Sequence, residues 1–183
     1  MNKLIATIFY VGLIPKAPGT FGSLAAIPLI LLLIYFRSFA ALLAVTVILY
    51  FVGVITVSKV IKETGDEDPQ CAVIDEVVGM LVAFITLLGV SGAGAYLLTG
   101  VIPSEIELGQ QSLGLVMLIL LTLFAWFRFF DIKKPWPVSY FDQRVKNAHG
   151  VMLDDVAAGI MAGLATLMTG FVVSFVFVLT AYF

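Results

Sequence analysis

Thiol and imidazole are almost missing from this sequence: it has one cysteine, Cys71, and one histidine, His149, in 183 residues. A single cysteine excludes an intramolecular disulfide. Cys71 is followed by "AVIDEVV", with no arginine soon after, so it does not sit in a phosphate-binding loop as a nucleophile. With one histidine, no His/Cys cluster exists to hold zinc. Charge is scarce as well. Asp, Glu, Lys and Arg make up 12% of the chain, against about 25% in soluble domains. What fills the space is oil: 61% of residues are hydrophobic, in long continuous runs. A transmembrane barrel would show short alternating strands instead. The expected class is therefore all-α, an integral membrane helical bundle, because a helix satisfies its own backbone in lipid. One domain over residues 1–183 fits the length. No internal repeat or low-complexity linker divides it.

The runs predict about five membrane-embedded helices: 21–36, which contains Pro28, then 39–57, 73–88, 113–130 and 151–183. The last is long enough to cross with tilt or to extend past the lipid. The N-terminus resembles a signal peptide, but no small-x-small cleavage site follows its apolar core and "PKAPGT" interrupts it. Residues 4–14 read as a short retained helix at the interface. With the N-terminus in the cytoplasm, Lys3, Lys16, Lys59, Lys62, Lys133, Lys134, Arg144 and Lys146 share that side, Arg128 lies just inside it, and only Arg37 lies opposite. The positive-inside rule favours this orientation. The loop "TGVIPSEIELGQQS", with Glu105 and Glu107, then faces outward as a plain connector. Four polar segments meet on the inner face: "PKAPGTFGS", "KETGDEDPQCAVIDE", "RFFDIKKPWP" and "FDQRVKNAHGVMLDD".

Several charges stand where lipid should be. Asp75 and Glu76 open one apolar helix, Asp154 and Asp155 open another, and Arg128 and Asp131 close a third. From Arg128 to Asp155 the chain holds five of its ten basic residues and four of its twelve acids. An unpaired charge at the centre of a membrane helix costs about 2.5–3.5 kcal/mol on insertion scales, so such residues pair or bind something polar. Gly79 follows Asp75 by four residues, and Gly159 and Gly163 continue the stripe of Asp155. Small residues on these stripes predict close helix packing with the acidic ends adjacent. Arg128, Asp131 and Lys134 recur in steps of three, on one helix face, before Pro135 and Pro137 stop the helix. Trp136, Tyr140 and Phe141 fit an interfacial aromatic belt. Carboxylates beside cations suit a hard ion such as Mg²⁺ together with a phosphate. His149 reads as a loop residue, with a general-acid role left open. In "KAPGTFGS", Thr20 or Ser23 serves either as a helix cap or as part of an anion site. It is not a Walker loop. The bland alternative is that these charges form ion pairs that pin helix ends.

The blocks "PKAPGTFGSLAAIP", "IDEVVGM", "RFFDIKKPWPVSYFDQRV" and "GVMLDDVAAGI" together resemble the phosphatidylglycerophosphatase A family of bacterial membrane lipid phosphatases, in that family's order. The resemblance implies Mg²⁺-dependent hydrolysis of the terminal phosphomonoester of phosphatidylglycerophosphate, giving phosphatidylglycerol and inorganic phosphate. It implies a bacterial inner-membrane location with the active site facing the cytoplasm, and membrane and lipid substrate as partners, with no nucleic acid. Carried over by motif, Asp75, Glu76, Asp131, Asp154 and Asp155 are the expected catalytic acids. Asp75, Glu76, Asp131 and Asp155 are the expected metal ligands. Lys16, Thr20, Ser23, Arg128, Lys134 and Arg144 are the expected phosphate contacts. Asp142, in "YFDQRV", belongs to the same blocks. Asp66, Glu67 and Asp68 read as a solvated loop.

Two other lipid phosphoryl enzymes do not fit. One needs a second histidine, and the other needs a further Asp pair at helical spacing. A small ion-coupled transporter is the competing class, since it too would carry intramembrane acids. It predicts polar residues at mid-membrane and internal pseudo-symmetry, whereas here the acids gather at one surface.

Overall fold

A computed structural model describes residues 2–91 and 110–182, and every regular element among them is helical. Five helices are long and apolar enough to cross a membrane: α2 (Pro18–Tyr35), α3 (Phe39–Thr64), α4 (Ile74–Ser91), α5 (Gln110–Lys133) and α7 (Ala148–Tyr182). Two short helices accompany them, α1 (Asn2–Ala6) and α6 (Val138–Arg144). Most of the connector "TGVIPSEIELGQQS", including Glu105 and Glu107, lies outside the described residues.

Local chemistry explains the boundaries. Pro18 starts α2, where its missing N–H is no loss. The Ser38 hydroxyl accepts from the Ala41 amide at 3.1 Å and caps α3. Gly65 ends α3 in the left-handed region, its amide bonded to the Ile61 carbonyl at 2.8 Å. α3 runs past the expected end at Val57, so Lys59 and Lys62 extend from its last turns. The N-terminal segment differs from one continuous helix over 4–14. After α1, Ile8, Phe9 and Tyr10 all have positive φ, and a 3-10 turn covers Val11–Leu13. That break folds the segment back: the Val73 amide donates to the Ala6 carbonyl at 2.9 Å, and Gly12 lies against the Cys71 backbone.

The centre of the bundle is α4, buried along most of its length. It packs against α7 through glycines. A Cβ on Gly79 would come within 2.8 Å of the Asp155 carbonyl oxygen, and one on Gly163 within 2.5 Å of the Ala83 carbonyl oxygen. The expected small-residue seam is therefore present, and it places Asp75 and Asp155 at the same end of the pair. Phe127 fills the space beside Gly79. Outward faces of α3, α5 and α7 carry exposed Ile48, Phe51, Leu118, Leu121 and Phe171, the surface a lipid solvent covers. α7 is about 52 Å long, well beyond the roughly 30 Å hydrocarbon layer.

Candidate active site

The N-terminal ends of α2, α4 and α7 and the C-terminal end of α5 surround one cavity of about 220 Å³. Its carboxylates are Asp68, Asp75, Glu76, Asp131, Asp154 and Asp155, and its cations are Arg128 and Lys134. Polar segments remote in sequence thus converge at one end of the bundle. Asp75, Asp154 and Asp155 are each no more than 7% exposed. Asp75, Glu76 and Asp155 offer oxygens that all lie within 4.8 Å of one another.

Each group is positioned by its helix. Asp75 and Glu76 occupy the first turn of α4, where the amide of Glu76 donates to the Asp75 carboxylate at 3.1 Å. The first turn of a helix favours anions. On α7 the Asp155 amide donates to Asp154 Oδ1 at 2.9 Å. Arg128 and Asp131 lie one turn apart on α5 and pair at 2.5 Å. Lys134 stands just beyond α5 with φ 45°, its amide closing on the Phe130 carbonyl at 2.8 Å. That left-handed turn swings its ammonium sideways, onto Asp142 of α6 and onto Asp154 Oδ2 at 2.8 Å. Burial alone would pull the Lys134 pKa down, but these two hydrogen bonds outweigh it and hold the group well above the ordinary lysine value. It therefore stays cationic at any working pH. An ammonium has three donors, so one remains for another acceptor.

The start of α2 closes the cavity. Ala17, in the left-handed region, turns the chain so that Pro18 and Gly19 line the wall. A Cβ on Gly19 would collide with Glu76 Oε1 and come within 3.0 Å of Arg128 Nη1. No side chain caps α2: the buried Ser23 hydroxyl donates instead to the Gly19 carbonyl at 2.7 Å. Lys16 and Arg144 are exposed, Thr20 is half-buried, and none of these lines the cavity. His149 is exposed and hydrogen-bonds to the Tyr50 hydroxyl at 3.1 Å. Asp68, read from the sequence as solvated, lines the cavity with Gln70. The signal available for it was Pro69 and the short reach to Asp75, which keep the loop against the helix start.

Two buried polar atoms at this site have no hydrogen-bond partner: Glu76 Oε2 and Arg128 Nε. A buried carboxylate oxygen left unpaired is costly. Together with an oxygen-only donor set, it fits a hard cation and not a soft one.

Fold and site define a multi-span membrane protein with an acidic, oxygen-lined pocket, guarded by one Arg and one Lys at one end of the bundle. The family profile described as Phosphatidylglycerophosphatase A matches residues 4–170, and the chain belongs to that family. It is similar to a Phosphatidylglycerophosphatase A of Haemophilus influenzae, 37% identical over 159 residues, which cover 87% of this chain and 82% of that one. A Phosphatidylglycerophosphatase A of Escherichia coli is 32% identical over 159 residues, covering 87% and 77%. A Putative phosphatidylinositol-3-phosphatase of Bacteroides thetaiotaomicron is 34% identical over 161 residues, covering 86% of each chain. No solved structure matches.

Proposed function

We propose that this enzyme removes the terminal phosphate of phosphatidylglycerophosphate, releasing phosphatidylglycerol and inorganic phosphate, at the cytoplasmic surface of a bacterial inner membrane. The observation that carries the reading is the convergence of Asp75, Glu76 and Asp155 within 4.8 Å, beside an unpartnered Glu76 oxygen and the Arg128 guanidinium. Asp75, Glu76 and Asp155 would hold Mg²⁺, with Asp131 adjoining. When bound, the ion neutralises carboxylate charge, polarises the phosphoryl group and lowers the pKa of a bound water.

The remaining roles belong to the chain. Arg128, tied to Asp131 through Nη1, has further donors for phosphate oxygens. The third donor of Lys134 supplies another. Asp154 is held at both oxygens, by Lys134 and by the Asp155 amide, so it orients its neighbours. Asp142 steadies Lys134. Lys16 and Arg144, exposed near the same end, suit attraction of an anionic headgroup. Thr20 lies in the first turn of α2, and Ser23 bonds back to the Gly19 carbonyl there. A site at the end of the bundle lets a headgroup enter while its acyl chains remain in lipid.

The direct test is phosphate release from phosphatidylglycerophosphate by purified protein in detergent. Turnover is expected to stop with a chelator and return with added Mg²⁺. Full activity in chelator would overturn the metal assignment, and no release from this lipid would overturn the substrate. A second expectation concerns the α2 start. Gly19→Ala would push the wall off Glu76 and Arg128, and misplacement of about 1 Å costs about 10²-fold in rate. Activity should fall by that order with the melting temperature little changed. Unchanged activity would detach the α2 start from the site.

A further inference from the structure

Resting on the phosphatase reading above, we propose that Asp68 is the general acid that protonates the departing lipid alcohol. The α3–α4 loop delivers it. Gly65 ends α3, the Thr64 hydroxyl accepts from the Asp66 amide at 3.2 Å, and Asp66 accepts from the Asp68 amide at 3.1 Å. Buried Pro69 then pins the chain, and Asp68 lines the main cavity and also the small adjoining one beside α6 and α7.

Position separates Asp68 from the other cavity acids. It is exposed, whereas the other five are buried or half-buried. As the exposed acid of the cavity lining, Asp68 is the one a departing lipid alcohol can meet on its way out. Pairing separates it too. Asp131 is tied to Arg128, Asp154 to Lys134, and Asp75, Glu76 and Asp155 form the acidic triad. Among the described residues no cation forms an ion pair with Asp68. Charges facing it are Lys134 and Lys146, and the carboxylates Asp142, Asp66 and Asp154. Although the residue is exposed overall, burial at its carboxyl end raises the pKa, against the opposing pull of Lys134.

The chemistry needs such a group. A glycerol alkoxide is a poor leaving group. As the water oxygen bonds to phosphorus, the bond from phosphorus to the glycerol oxygen breaks. That oxygen keeps the electron pair and takes the Asp68 proton, departing as an alcohol. The attacking water gives a proton to solvent, and solvent returns one to Asp68. Lipid phosphate and water become alcohol and inorganic phosphate, with no further reactant.

The test compares Asp68→Asn and unaltered full-length protein, with Mg²⁺, on phosphatidylglycerophosphate and on its analogue with sulfur at the bridging position. A thiolate leaves without a proton. General-acid loss typically costs about 10²–10⁴-fold. The variant should lose that much on the oxygen substrate and stay within a few-fold of the unaltered protein on the sulfur analogue. Equal loss on both would overturn the proposal and assign Asp68 to phosphate or metal binding, or to the loop's fold. No loss on either would make it a solvated loop. Failure of the unaltered protein to release phosphate from the oxygen substrate would instead defeat the phosphatidylglycerophosphatase reading, and this inference with it.

Discussion

Asp155→Asn is expected to abolish phosphate release while leaving a folded protein. The side chain is 4% exposed, in the part of α7 that faces α4, with Asp131, Asp75 and Asp154 as its charged neighbours. Asparagine fills the same volume, so the packing around it survives. What disappears is one negative oxygen of the triad. Even groups that only orient a metal ligand cost about 10–100-fold when removed, so loss of the ligand should exceed that range. Carboxylates crowded together repel one another in a site of low polarity. Without Mg²⁺ the variant should therefore melt no lower than the unaltered protein. The decisive measurement is the melting temperature with and without Mg²⁺. A ligand that binds only the folded state stabilises it by about 2.7 kcal/mol at 100 times its dissociation constant. That rise should be present in the unaltered protein and largely missing in Asp155→Asn. A variant that keeps both the rise and the turnover would remove Asp155 from the site.

Gly159→Ala should damage the fold itself. An added methyl group would collide with the Gly79 carbonyl oxygen and lie 3.2 Å from the Ala83 nitrogen. Both are α4 backbone atoms, and no rotamer change relieves them. Overpacking of this kind costs about 1–3 kcal/mol, or a melting temperature lower by roughly 5 °C in a chain of this size. Because Gly159 lies one turn from Asp155, pushing α7 from α4 should also draw Asp155 away from Asp75 and lower the rate. Gly170→Ala is the control. Nothing lies within 4 Å of its Cβ position, and replacing a mid-helix glycine gains roughly 0.5–1 kcal/mol. Equal melting of the two variants would show that the seam does not depend on close backbone contact.

Much of this protein was legible in the linear sequence, because the bilayer enforces simple rules. Long apolar runs had to be helices, since lipid offers the backbone no partner, and five such helices are present. The four-residue spacing of Asp75 with Gly79, and of Asp155 with Gly159 and Gly163, foretold a close seam. The charge distribution foretold that the polar segments share one end. Only the tertiary structure decided which of those charges share a cavity. Lys16 and Arg144 belong to the right motifs yet lie outside its lining. Asp68, in a loop that looks solvated, lies within it. Lys134 keeps the expected helical spacing, but a left-handed turn sends it to Asp142 and Asp154. Periodicity and hydropathy act along one segment and survive in the sequence. Convergence depends on how α4, α5 and α7 are packed and on the turns at their ends, and those are set by contacts between residues far apart in the chain.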